Sequence, residues 1–129
     1  MNVNESSENY LETILILSNR THFVRSIDIA TELNFKKSSV SVAMKNLREK
    51  KYIVINDEGH IFLTEEGKKI ASMVYEKHTL ISSWLESLGV DSETATEDAC
   101  RIEHVISDKS FKAIKKFLKS CDENFSMPK

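Results

Sequence analysis

The 129-residue sequence has only three glycines and one proline, which excludes collagen-like, low-complexity and turn-rich all-β architectures. Its two cysteines, Cys100 and Cys121, are too few for a disulfide framework. A thiol beside Glu and His more often means metal binding or packing than a bridge. No stretch approaches the roughly eighteen consecutive apolar residues that span a bilayer, and the opening MNVNESSENY has neither the basic nor the apolar segment of an export signal. A cytoplasmic protein is expected. What is abundant agrees: 40% apolar and 29% charged residues describe a mainly α chain, long enough to bury a core in one domain or two small ones.

The formal net charge of −2 conceals an asymmetry. Residues 20–51 hold Arg20, Arg25, Lys36, Lys37, Lys45, Arg48, Lys50 and Lys51 against Asp28, Glu32 and Glu49, a balance of +5 that leaves −7 for the rest. A basic first half joined to an acidic second half suggests that the first meets an anionic polymer and that the second does something else.

Residues 6–19, SSENYLETILILSN, place Tyr10, Leu11, Ile14, Ile16 and Leu17 at mostly helical spacing. SIDIATEL follows, with Ser26 as the expected N-cap and Ile27, Ala30 and Leu33 as one buried stripe. After the tight connection NFKK comes SSVSVAMKNLREKKY, where Val40, Ala43, Met44 and Leu47 repeat at i, i+3, i+4, i+7 behind a Ser38 or Lys37 start. Two short helices joined by a sharp turn form a helix-turn-helix. The period then changes: YIVIN, the turn DEG and HIFLT read as a hairpin, which is a wing. Thr64, Glu65 and Glu66 open a long helix, 65 to about 88, with Ile70, Val74, Leu80, Ile81, Trp84, Leu85 and Leu88 as its apolar positions and Gly89 as its stop. DSETATED caps a further helix to about 107. SDKS begins a last one, 108–120, with Phe111, Ile114, Phe117 and Leu118 on one face. The predicted domains are 1–72, a winged helix-turn-helix, and 73–129, all-helical.

A helix-turn-helix with a wing lays its second helix in the major groove of DNA. The predicted outward face carries Lys37, Ser38, Ser39, Ser41, Val42, Lys45, Asn46 and Arg48, with Lys36 and Arg25 nearby. Lys and Arg neutralise phosphates, hydroxyls allow close approach, and Val42 suits a thymine methyl. A plain solvated helix face is the alternative. The wing tip, Asn56-Asp57-Glu58-Gly59, is acidic and repels phosphate, so only His60 or a main-chain amide could contribute there. His22 and His60 are expected to face solvent.

In the acidic half, Cys100, Glu103 and His104 fall at i, i+3, i+4, while Ile102, Val105 and Ile106 supply burial. Thiolate, carboxylate and imidazole together bind divalent first-row metals, but a packed polar seam would show the same spacing. A metal also needs ligands from another element. His78 in the long helix and Glu12 in the first helix are candidates, set against a hydrogen-bonded core histidine and a surface carboxylate.

At ENYLETI, IDIATEL, SSVSVAMKNLREKKYI, LTEEGKKIA, EKHTLISSWLESLGV and DACRIEHVISD, from about residue 7 to 120, the chain resembles the metal-dependent repressors of the diphtheria toxin repressor and manganese transport regulator family. The resemblance is to the two-domain form without an SH3-like domain. It implies a DNA-binding winged helix followed by a helical domain that holds metal and dimerises. It carries Glu12, His78, Cys100, Glu103 and His104 over as metal ligands, with Asn9 at a variable ligand position. The manganese branch usually has Asp and Glu at positions 9 and 100 and the iron branch Met and Cys, whereas this chain has Asn9 and Cys100. The expected cofactor is Fe2+ or Mn2+, with Co2+, Ni2+ or Zn2+ able to substitute in vitro. The expected partners are a palindromic DNA operator and a second copy of the chain.

The function so implied is a metal-activated repressor of iron or manganese homeostasis genes. Its rivals are a metal-independent winged-helix regulator with a structural Cys/Glu/His seam, a helical adaptor that only dimerises, and a small metallohydrolase using Glu103 as general base. No H-E-x-x-H or phosphate loop accompanies that last reading, and an enzyme is not expected.

Overall fold

Six helices and one two-stranded hairpin follow one another in a computed structural model that describes residues 5–120. The order is α1 (Glu5–Arg20), α2 (Ser26–Leu33), α3 (Lys37–Glu49), β1 (Ile53–Ile55), β2 (Ile61–Leu63), α4 (Glu65–Ser87), α5 (Ser92–Val105) and α6 (Asp108–Ser120). The chain divides into two compact units, Met1–Met73 and Val74–Lys129. Among the described residues no helix is long and apolar enough to cross a membrane.

In the first unit α1 packs on α2, α3 and β2, and α3 packs on β1. Leu11 and Ile14 of α1, Ile29 of α2, Val40 and Met44 of α3, and Ile53 and Ile61 of the strands are essentially inaccessible. Each contributes about 1.5–3 kcal/mol by leaving water. The buried pair on α2 is Ile29 with Ala30, whereas Ile27 is 43% exposed. The expected stripe is thus rotated, because packing of α2 on α1 and α3 buries the face of Ile29 and Ala30. Arg25, not Ser26, is the N-cap, and its N–H donates to Asp28 Oδ2 at 2.9 Å.

Three chain reversals share one device. Asn34, Lys51 and Gly89 take positive φ of 56°, 67° and 99°. In each case the next N–H reaches back five residues, from Phe35 to Ala30, Tyr52 to Leu47 and Val90 to Leu85, at 3.0–3.1 Å. This is the Schellman ending, which satisfies carbonyls the helix would leave bare. Asn34 tolerates the left-handed turn well; Lys51 holds it at a cost of about 1 kcal/mol.

The hairpin is antiparallel, with Ile53 opposite Leu63 and Ile55 opposite Ile61. Asn56 organises its tip: the side-chain oxygen accepts from the N–H groups of Glu58 and His60, at 3.0 and 2.9 Å. Thr64 closes its base. The Thr64 hydroxyl donates to the Lys51 carbonyl at 2.7 Å and accepts from the Gly67 N–H at 3.2 Å, and the Thr64 N–H donates to the Tyr52 carbonyl at 3.0 Å. Gly67 must be glycine for a steric reason, since a Cβ there would collide with the Tyr52 carbonyl oxygen.

In the second unit Leu80 and Ile81 of α4, Ala99 of α5, and Phe111 and Leu118 of α6 form the core, with Trp84, Leu85, Ile102, Ile106 and Ile114 packed around it. Two ion pairs tie α6 to α4: Lys77 to Asp108 at 3.0 Å and Lys115 to Glu76 at 2.6 Å. Three residues expected in the core lie outside it. Leu88, Val105 and Phe117 are 64%, 77% and 64% exposed. Leu88 follows the end of α4 at Ser87, and Val105 lies on the α5 face of exposed Arg101 rather than on that of Ile102 and Ile106, which pack on the core. Phe117 lies on α6 beyond the edge of the face marked by Phe111 and Leu118. Cys121 and the tail after it lie outside the described residues.

Candidate metal centre and nucleic-acid interface

Asp91 starts α5 by accepting from the Thr94 N–H at 3.0 Å, which fixes the register of everything downstream. About two and a half turns later, Cys100, Glu103 and His104 bring a sulfur, a carboxylate oxygen and a ring nitrogen within 4.8 Å of one another. Cys100 is exposed, the His104 side chain is 2% exposed, and Glu103 is sealed off at 1%. His78 joins them from α4, held by the burial of its neighbours Lys77, Leu80 and Ile81. Its Nδ1 stands 3.1 Å from Glu103 Oε2, and His104 Nε2 stands 3.3 Å from Glu103 Oε1.

Despite these distances, neither oxygen of Glu103 has a hydrogen-bond partner among the described residues. Desolvating a buried carboxylate is costly unless charged or donating neighbours offset it. Burial pushes the Glu103 carboxyl up, and the imidazoles of His104 and His78 more than offset it, so the group titrates below its ordinary value. Ionised, sealed from water and faced by two imidazole nitrogens, Glu103 has the character of a ligand rather than of a core residue. Sulfur, carboxylate and imidazole also match the donor preferences of a divalent first-row metal. The residues fit such an ion.

Glu12 and Asn9 lie on α1 in the first unit. Glu12 is buried, against the surface carboxylate weighed from the sequence. Asn9 is half-buried, and its main-chain carbonyl accepts from the Thr13 hydroxyl at 2.8 Å.

On α3 the division of faces is clean. Val40, Met44 and Leu47 are buried, while Lys37, Ser38, Ser39, Ser41, Val42, Lys45, Asn46 and Arg48 are all exposed. Lys36 caps the helix and Arg25 caps α2; both are exposed. The outward face carries no acid before Glu49. It offers cations, hydroxyls and one apolar side chain, the combination that suits phosphates and base edges.

His60 corrects an expectation. It is 5% exposed rather than solvent-facing; His22 is exposed. Its ring stacks on Phe23, with centroids 4.2 Å apart and planes 11° apart, and its Nε2 lies 3.2 Å from Arg25 Nη2. The sequence gives no sign of this, because the partners are 35 residues apart and are joined by a single bridge between Val24 and Ile61.

Comparison with known proteins bears on both sites. Residues 2–61 match the family model described as the iron dependent repressor N-terminal DNA binding domain. Residues 64–126 match the iron dependent repressor metal binding and dimerisation domain. An uncharacterized HTH-type transcriptional regulator of Methanocaldococcus jannaschii is 35% identical over 118 residues, covering 90% of this chain and 94% of its own. The HTH-type transcriptional regulator MntR of Bacillus subtilis is 33% identical over 109 residues, covering 84% and 77%. Among solved structures, the manganese regulator SloR superposes with a TM-score of 0.77 at 30% identity over 92% of this chain. The chain spans about 55% of the length of that SloR chain.

A winged helix with a basic outward face, followed by a helical unit with a metal-competent cluster, defines a metal-dependent, DNA-binding transcriptional regulator. Its partners are DNA and a second copy of itself, and its cofactor is a divalent metal. The chain belongs to the iron-dependent repressor family.

Proposed function

We propose that this protein represses iron or manganese homeostasis genes when loaded with Fe2+ or Mn2+. The observation that carries the reading is the buried carboxylate of Glu103 set between the imidazoles of His78 and His104. His78, Cys100, Glu103 and His104 would hold the cation from the helical domain, residues 73–129. Glu12, with Asn9 through its amide oxygen, would hold it from the winged helix, residues 1–72. A bound cation supplies the positive charge that lets these groups share one site.

Holding both domains through one set of ligands would fix the reading helices at a set separation. Half-sites of a palindromic operator recur every turn, about 34–36 Å, so a fixed separation raises affinity for DNA. A coupling of about 1–3 kcal/mol is enough for a switch. In each copy, Lys37, Ser38, Ser39, Ser41, Val42, Lys45, Asn46 and Arg48 would face the groove, with Lys36 and Arg25 on phosphates. Cys100 is softer than the carboxylate usual in the manganese branch and tilts the set toward Fe2+, while Glu12 and Glu103 keep Mn2+ compatible.

Gel shift of DNA from the protein's own promoter, with and without Fe2+ or Mn2+, tests the reading for wild type and Glu103→Ala. Metal-dependent retardation that the substitution abolishes is expected. Metal-independent binding that it leaves untouched would return the cluster to a structural seam.

A further inference from the structure

We infer that His60 is a positioning residue for DNA binding: it holds the Arg25 guanidinium, under the cover of Phe23, in a fixed pose for a backbone phosphate. This rests on the DNA-binding reading of the first unit and adds to it a residue from the wing.

The geometry begins with the backbone. The Ile61 N–H donates to the Val24 carbonyl at 2.7 Å, which lays residues 23–25 alongside β2. Val24 is buried at 2%, so in this extended stretch its neighbours Phe23 and Arg25 both point the other way. His60 meets them there. Its ring stacks on Phe23 at 4.2 Å, and its Nε2 lies 3.2 Å from Arg25 Nη2. A guanidinium only donates, so a hydrogen bond here requires Nε2 to accept and the ring proton to sit on Nδ1.

Every member of the cluster is anchored from behind. Thr21 brackets Phe23, its hydroxyl donating to the Phe23 carbonyl at 2.7 Å and accepting from the Phe23 N–H at 3.1 Å. The Arg25 N–H is held by Asp28 and the His60 N–H by Asn56, both at 2.9 Å. Yet the outer members remain accessible: Phe23 is 54% exposed and Arg25 is exposed.

The choice of partner is the chemical point. A carboxylate would hold Arg25 as firmly but would neutralise it, whereas a neutral imidazole fixes the guanidinium and leaves its charge and remaining N–H donors for a phosphate. An arginine fixed beforehand also loses less rotamer freedom on binding. The acidic wing tip would repel phosphate, so the wing would act through Arg25.

The test measures binding of metal-loaded full chain to a fluorescein-labelled, mixed-sequence duplex of about three helical turns, by anisotropy across a salt series. Arg25→Ala is expected to weaken binding about three- to tenfold and to reduce the slope of log K against log salt by about one. His60→Phe keeps the stack but removes the acceptor, and should do the same. The double variant should be no weaker than Arg25→Ala alone, and His60→Gln, whose amide oxygen accepts, should recover most of the loss. Wild-type affinity and slope for His60→Phe, or additive losses in the double variant, would overturn the inference. Lys45→Ala serves as the control: if wild type and this variant alike fail to bind, the DNA reading itself falls and His60 with it. Nitrogen-15 NMR of wild-type His60 gives a readout independent of any variant's folding. A proton on Nδ1 is expected, and a proton on Nε2 overturns the proposal.

Discussion

His78 Nδ1 lies 3.1 Å from Glu103 Oε2, and the carboxylate it faces accepts no hydrogen bond from any described residue. His78 and His104 hold that carboxyl below its ordinary value, so its charge favours the fold without metal, and the same charge is the one proposed to bind the cation. Removing the charge should therefore affect both folding and metal binding.

Glu103→Gln should cost the metal-free protein some stability at neutral pH, since a carboxyl held below its ordinary value by His104 and His78 favours the fold when ionised. Excess Mn2+ should stabilise wild type by about 2.7 kcal/mol at a hundredfold over its dissociation constant, and should stabilise the variant not at all. Urea denaturation after chelation, with and without added Mn2+, measures both quantities. An equal metal-induced gain in the variant would remove Glu103 from the ligand set.

The Lys77–Asp108 pair gives a pH dependence of known sign. Hydrogen bonding and attraction from Lys77 hold the Asp108 carboxyl below its ordinary value of 3.8. Its contribution is therefore complete above that value and is lost as pH falls through the lower, folded one. The Asp108 side chain is 60% exposed, so solvent screens the pair. Asp108→Asn should cost about 1 kcal/mol at neutral pH and nothing below the folded value. Denaturation midpoints of the two proteins should converge in acid; a constant gap would assign the effect to packing.

Gly67→Ala should destabilise the first unit by about 1–3 kcal/mol, because the methyl group meets the rigid Tyr52 carbonyl rather than a side chain that can swing aside. Thermal unfolding monitored by circular dichroism checks it, and a shift within error would mean that α4 can slide on the hairpin.

On the outward face of α3, Lys45→Ala should weaken DNA binding on all sequences alike and lower the salt slope by about one. Val42→Ala should leave that slope unchanged and alter only the preference among sequences, through loss of a methyl contact. Anisotropy titrations at several salt concentrations distinguish the two.

Periodicity made the order of elements legible in advance, because α1, α3 and the hairpin change period where the backbone changes. The helix-turn-helix was equally plain from Val40, Met44 and Leu47, which are buried as their spacing requires. Errors gathered where a tertiary contact or a helix end decides the outcome. Ile27 lies outward because Ile29 and Ala30 take the buried face of α2, Leu88 follows the end of α4, and Val105 falls on the outer face of α5. His60 could not be found from spacing at all, since only the Val24–Ile61 bridge brings Phe23 and Arg25 to it. The i, i+3, i+4 spacing did mark Cys100, Glu103 and His104 as neighbours, but the burial of Glu103 and its approach to His78 are properties of three-dimensional packing.

Thr64 joins the end of the hairpin to the start of α4 through three hydrogen bonds, to Lys51, Tyr52 and Gly67. Insertions and deletions are consequently confined to the tip. A residue added between Ile53 and Ile55, or between Ile61 and Thr64, would shift the helix start by one position and turn every later side chain by about 100°, whereas one added at Asp57 or Glu58 would only enlarge the loop. Across descendants of this gene, wing length should drift at the tip while the distance from Ile61 to Gly67 stays constant.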